Sequence, residues 1–200
     1  MKESLITILR DARTSMVDFR RATHKLASIL AADASKLLGY EQITIHTPLA
    51  ETKGVKFSRR LILAPVLRSG LALLPTFLQF FDDALVGMIG AQRDEDTAIP
   101  HSYYTKLPQI NPQDDVILLD PMIATGGSGA MGIQALIHAG AAEAQIIFVS
   151  VVAAPEGLAA LRSEFPAVKI ITAQIDEKLN DRKFILPGLG DFGDRFFGTL

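Results

Sequence analysis

The segment Val116–Gly129, VILLDPMIATGGSG, joins an apolar strand to an acid and then to a run of threonine, glycine and serine. A helix that opens on glycines lets several backbone N–H groups converge on one anion, and the hydroxyls of Thr125 and Ser128 add donors. Asp120 cannot favour a phosphate by charge, but a carboxylate at this remove can accept hydrogen bonds from vicinal ribose hydroxyls. The chemistry implied is recognition of a phosphate joined to a ribose. A glycine turn with Asp120 as an ordinary cap would explain this segment taken alone, so the rest of the chain decides. Gly127, Gly129 and Gly132 also spell G-x-G-x-x-G. A dinucleotide fold is excluded because PMIATG separates strand from glycine and because the next strand, IIFVSVV, lacks a terminal acid. No Gly-Lys-Ser/Thr of a P-loop is present.

Two arginines fall where strands should end. In APVLRSGL, Ala64–Leu71, Arg68 follows an apolar strand and precedes Ser69-Gly70, a setting that suits pyrophosphate. The next strand, ALVGMIGAQRDED, ends at Arg93, and neighbouring ends of a parallel sheet share one rim, so the pair forms an anion clamp. Asp94, Glu95 and Asp96 read as a solvated turn, not a metal site, and the lone Lys106 reads as surface. The glycine-rich tail FILPGLGDFGDRFFGT, Phe184–Thr199, is too poor in regular pattern for an ordinary strand or helix, and its backbone can approach a flat ligand closely.

DPMIATGGS, Asp120–Ser128, resembles the phosphoribosyl pyrophosphate (PRPP) motif of uracil phosphoribosyltransferases, where a single acid followed by proline marks the uracil branch. PVLRSG resembles that family's pyrophosphate loop, HSYYTKLPQIN, His101–Asn111, its mobile hood, and the tail its uracil-binding loop. The resemblance implies that PRPP is met by Arg68, Arg93, Asp120, Pro121, Met122, Ile123, Ala124, Thr125, Gly126, Gly127, Ser128 and Asp191. It implies that uracil is met by Ile185, Gly190, Asp191 and Phe192, and that Arg68, Arg93 and Asp191 carry the catalytic work, Asp191 facing PRPP or its metal. Phe184 stands where many members have tyrosine, and Phe192 where many have alanine. The implied reaction is uracil plus PRPP to UMP plus pyrophosphate, with Mg²⁺ brought by PRPP and no metal site of the protein's own. Magnesium, GTP binding and a cytoplasmic homo-oligomer come with the resemblance; the residues themselves do not specify oligomer size, GTP activation or rate. A phosphoribosyltransferase for another base would share the phosphate loop but not the tail. A noncatalytic RNA-binding regulator on the same fold should display a basic face.

The elements that must position these residues are legible as patterns. Apolar runs RLILAPV, ALVGMIGA, DVILLD, AQIIFVSVV and VKIITAQ alternate with helical stretches near Leu71–Phe81, Gly127–His138 and Glu156–Glu164. That alternation predicts an α/β fold, of the type I phosphoribosyltransferase kind by resemblance: a central, mostly parallel sheet flanked by helices, with ligands at the strands' carboxyl ends. Before it, Phe19, Ala22, Leu26, Ile29, Leu30, Leu37 and Leu38 keep helical spacing up to Gly39, a natural left-handed stop. Residues 42–58 read as a β-arm turning near Lys53-Gly54, the default contact for a homodimer.

The composition allows one domain over 1–200, with the arm and the 184–199 loop as its appendages: 48% of 200 residues are hydrophobic. A net charge of −2 offers no general attraction for nucleic acid or an anionic membrane. The absence of cysteine excludes thiolate zinc sites and fits a reducing cytoplasm. The four histidines, at 24, 46, 101 and 138, show no metal-binding spacing. MKESLITILRD fails as a signal peptide, and no apolar run reaches membrane-spanning length.

Overall fold

In the computed structural model the described residues are 1–93 and 100–199, without the side chains of 92, 93 and 100. The chain begins with two helices, α1 (Lys2–Arg10) and α2 (Met16–Ser35), followed by the hairpin β1 (Tyr40–His46) and β2 (Glu51–Phe57). Then come β3 (Leu61–Leu67), a 3₁₀ turn at Ser69–Ala72, α3 (Leu74–Phe80), β4 (Leu85–Val86), β5 (Met88–Arg93) and β6 (Pro100–Lys106). The second half runs β7 (Asp115–Leu119), β8 (Met122–Ile123), α4 (Gly127–His138), a 3₁₀ turn at Glu143–Gln145, β9 (Ile146–Ala153), α5 (Pro155–Glu164) and β10 (Lys169–Ile175). It ends on β11 (Lys178–Leu179), β12 (Ile185–Leu186) and α6 (Phe192–Phe197).

The main sheet has the order β10-β9-β7-β3-β5-β6, with β4 alongside β3 and β8 alongside β9. All its pairs are parallel except β5 with β6. The apolar runs divide between its faces with the period of two that a strand imposes. Leu61, Leu63, Ile117, Leu119, Ile147 and Val149 join one core with α1, α2, α3 and α6. Their neighbours Ile62, Ala64, Val116, Leu118, Ile146 and Phe148 join a second core under α4 and α5. Continuous apolar strands are therefore what a sheet covered on both faces requires.

Four expectations need correction. The long helix stops at Ser35, not Gly39: Lys36–Leu38 tighten into a turn through N–H bonds from Leu37 to Ala34 and from Leu38 to Ser35. Gly39 has no left-handed φ; it is needed for closeness, since a Cβ there would lie 2.7 Å from Ser58 Oγ. The arm turns at Thr47–Ala50, where the Thr47 hydroxyl and N–H both bond to Ala50 C=O, while Lys53-Gly54 sits within β2 opposite Thr44 and Ile43. Most of the 101–111 loop is a strand, His101–Lys106 of β6, because pairing with β5 satisfies its backbone. The tail is not irregular throughout: it holds β12 and α6, the latter capped by the Asp191 side chain. The helix α1 is not among the elements read from the sequence.

Candidate active site

The carboxyl ends of β3, β5, β7 and β8 open onto a cleft of about 250 Å³. Its floor is the 122–129 segment. Pro121 C=O accepts the N–H groups of Val151 and Val152, and Ile123 C=O accepts that of Ala154, so the loop leaves β8 from a point fixed against β9. Gly126 then turns the chain at φ 88°, a conformation that costs glycine little. In α4, Ala130 N–H is the first to find an intrahelical acceptor, Gly126 C=O at 2.8 Å. The N–H groups of Ser128 and Gly129 have no intrahelical acceptor, and that of Gly127 makes only a long contact to Thr125 Oγ1, 3.5 Å, at the cleft end of a twelve-residue helix, where an anion is favoured.

Two glycines set this cradle against its surroundings. A Cβ on Gly129 would lie 2.4 Å from the Phe148 ring, so only glycine lets α4 begin flush on β9. A Cβ on Gly157, in α5, would lie 2.3 Å from Ala124 C=O. Gly157 is a site-shaping residue that the pattern analysis missed; a glycine one turn into a helix is its only trace in the sequence.

Asp120 sits at the end of β7 and is 6% exposed. Ser69 Oγ donates to its Oδ1 at 3.2 Å, and the Met122 N–H approaches the same oxygen at the limit, 3.5 Å. Burial pushes its carboxyl up to about 7, against the weaker downward pull of these two donors. The group is therefore poised to exchange a proton near neutrality, and its free lone pairs suit diol hydroxyls. Ser69, read from the sequence only as part of the loop around Arg68, joins that loop to the acid.

Across the cleft lie Lys183, Phe184, Ile185, Gly190, Asp191, Phe192 and Gly193. This wall is held from behind by the end of α1. Asp176 accepts Gly188 N–H at 2.9 Å and pairs with Arg10. Arg195 donates to Leu189 C=O at 2.7 Å, to Asp11 C=O at 2.8 Å and to Leu9 C=O, with its guanidinium 4.5 Å over the Phe19 ring. Asp191 Oδ1 caps α6 by accepting Asp194 N–H at 2.8 Å.

Of the residues expected at the site, Asp120, Met122 to Ser128, Ile185, Gly190, Asp191 and Phe192 border the cleft. Pro121 and Arg68 do not. The Arg68 guanidinium is turned to Asp194 Oδ1, 3.0 Å, and Thr199 Oγ1, 3.4 Å. Arg93 ends β5, next to β3 on the same rim, but its side chain lies outside the described residues, as do Asp94, Glu95 and Asp96. Phe192 is 1% exposed with its ring packed 5.1 Å from that of Phe19, so the aromatic face open at this wall belongs to Phe184. The described residues contain no cluster of three or more His, Cys, Asp or Glu side chains able to hold a metal.

The chain that forms this cleft is similar to known proteins. A family model described as uracil phosphoribosyltransferase matches residues 2–199. A uracil phosphoribosyltransferase of Streptococcus agalactiae serotype III is 44% identical over 97% of this chain and 92% of its own. That of Dictyoglomus thermophilum is 43% identical over 97% and 93%. A solved protein structure from Aquifex aeolicus superposes with a TM-score of 0.90 at 32% identity, covering 98% of this chain and 93% of that one. Adenine phosphoribosyltransferase from Leishmania tarentolae, at a TM-score of 0.54 and 14% identity over 80% and 74%, shares the type I phosphoribosyltransferase fold. The chain belongs to the uracil phosphoribosyltransferase family.

Proposed function

We infer that the protein transfers ribose 5-phosphate from PRPP to N1 of uracil. The N1–C1′ bond forms, the C1′–O bond to pyrophosphate breaks with its electron pair on that oxygen, the N1 proton passes to the departing pyrophosphate, and UMP and pyrophosphate are released. The observation that carries this reading is the juxtaposition of a buried acid, Asp120, with a helix-opening phosphate cradle at one cleft, opposite a wall rich in backbone groups. In such a transfer the ribose becomes oxocarbenium-like while charge collects on the leaving group, so orientation and anion stabilisation supply the rate, and no protein nucleophile is needed.

The 124–128 loop takes the 5-phosphate and Asp120 the ribose hydroxyls. Arg68 exchanges its contacts with Asp194 and Thr199 for the pyrophosphate, joined by Arg93 from the next strand. Ile185, Gly190, Asp191 and the Phe192 backbone take uracil, whose edge of two carbonyls and N–H donors suits main-chain partners. Mg²⁺ belongs to the substrate, keeping most of its waters. The protein works as a homo-oligomer through the arm, in the cytoplasm, without nucleic acid; no helix among the described residues is long and apolar enough to cross a membrane.

The test is nucleotide formation from PRPP, Mg²⁺ and each base separately. Uracil and 5-fluorouracil should react. Cytosine inverts the donor–acceptor order at C4 and N3, and a mismatch of buried groups there should reduce kcat/KM by about 10⁴. Equal use of cytosine, orotate or a purine would overturn the uracil assignment while leaving PRPP transfer intact.

A further inference from the structure

Lys183 is the one non-glycine residue with a left-handed backbone among those described, at φ 65°. The tip between β11 and β12 imposes it. Lys183 N–H donates to Asn180 C=O at 2.8 Å, and Asn180 Oδ1 accepts the N–H groups of Arg182 and Phe184 at 3.0 and 2.9 Å. Such a position suits glycine, and any side chain there carries a penalty of roughly 1 kcal/mol. Backbone outliers of this kind cluster at active sites and ligand clamps.

Lys183 borders the cleft. Among the described lining residues the charged ones are two acids, Asp120 and Asp191, and one base, Lys183. Its hairpin is tied to the far side of the phosphate loop. Leu179 N–H, in β11, donates at 2.9 Å to Oε1 of Glu156, in the first turn of α5. The next residue, Gly157, lies directly against Ala124 C=O of the phosphate loop. The hairpin that carries Lys183 is thus joined through α5 to the phosphate loop, where backbone N–H groups offer only partial charges and a flexible cation would add a whole one.

We infer that Lys183 is a substrate-binding residue of this chain, its ammonium reaching over the cleft to the 5-phosphate of PRPP and UMP. The inference rests on the phosphoribosyl-transfer reading above and adds to it a charged contact from the base-loop side.

The experiment compares the parent with Lys183→Met, Lys183→Arg and Lys183→Gly. The methionine and glycine variants should weaken PRPP and UMP binding by about five- to twentyfold at low salt, with the deficit shrinking toward 1 M salt, where the Debye length is about 3 Å. Arginine should restore most of the affinity, and binding of pyrophosphate alone should stay unchanged. Lys183→Gly should melt no lower than the parent, since glycine relieves the backbone, so its weaker binding cannot come from unfolding. PRPP and UMP affinities within twofold of the parent, full affinity in methionine alone, or a loss centred on pyrophosphate would each overturn the inference. Failure of the parent itself to make UMP would instead overturn the reading on which it rests.

Discussion

At the scale of single residues the balance at Asp120 is the one most open to measurement. Its carboxyl, ordinarily near 3.8, is raised to about 7 by burial. A raised carboxylate means the folded state holds its proton longer than the unfolded chain. This group therefore costs nothing below about pH 4 and removes stability as pH rises toward 7, up to about 4 kcal/mol in all. Asp120→Asn keeps the shape and Ser69's hydrogen bond but cannot ionise. Its melting temperature should exceed the parent's by several degrees at pH 8, and the two should converge near pH 4. Activity should move the other way, because the ionised form is the stronger acceptor for ribose hydroxyls. The parent's kcat/KM for PRPP should rise through pH ~7 and the variant's should be lower without that limb. A variant whose activity merely tracks its stability would return Asp120 to the role of a cap. Arg68 shows a different balance. Its contact with Asp194 is partly solvent-exposed and worth little, so on the proposed reading a multiply charged pyrophosphate group would draw it away without appreciable loss.

At the scale of elements, the site is built by close approaches that alternate with strand ends, and Gly157 shows how far from the loop these act. Alanine is the better helix former by about 1 kcal/mol, so Gly157→Ala in isolation should stabilise α5. Here its Cβ would meet backbone, Ala124 C=O at 2.3 Å and Ala124 C at 3.0 Å, and neither can swing aside. Either α5 or the phosphate loop must move. We expect a net loss of about 1–3 kcal/mol in stability and a rise of more than about tenfold in KM for PRPP, read by thermal melting and by initial rates. An unchanged KM would mean that the loop tolerates displacement and that the cradle is not built by contact with α5. The same scale explains what the sequence did and did not disclose. The helix start at Gly127 and its end at His138 were legible because glycines and apolar spacing change at those points. Gly39 misled because a glycine demanded by closeness looks the same in sequence as one demanded by a left-handed cap. His101–Lys106 misled because its polar, aromatic composition belongs to a strand bonded along β5, which no local signal records.

Over the whole molecule, the legible part of the site is the part made by contiguous residues. The 120–128 loop and the 184–192 wall could each be read as a segment. The bonds that fix them could not, since Ser69 and Asp120 are 51 positions apart and Arg195 reaches Leu9 across 186. The sheet order is likewise a matter of pairing between distant strands. Because the cleft collects residues from Val66 to Gly193, a ligand that bridges its walls binds the folded state and has no counterpart in the unfolded chain. Saturation at a hundred times Kd should then add about 2.7 kcal/mol, which for a chain of this size raises the melting temperature by roughly 5–10 °C. PRPP with Mg²⁺ should produce this shift in the parent, and Gly157→Ala, melting cooperatively but with a displaced loop, should show about half of it or less at the same concentration. Mg²⁺ alone at millimolar levels should give no shift, because the ion arrives on the substrate's phosphates and waters fill most of its shell. A rise of several degrees with Mg²⁺ alone would show that carboxylates such as Asp120 and Asp191 gather the metal first, and the order of assembly proposed for the substrate complex would have to be reversed.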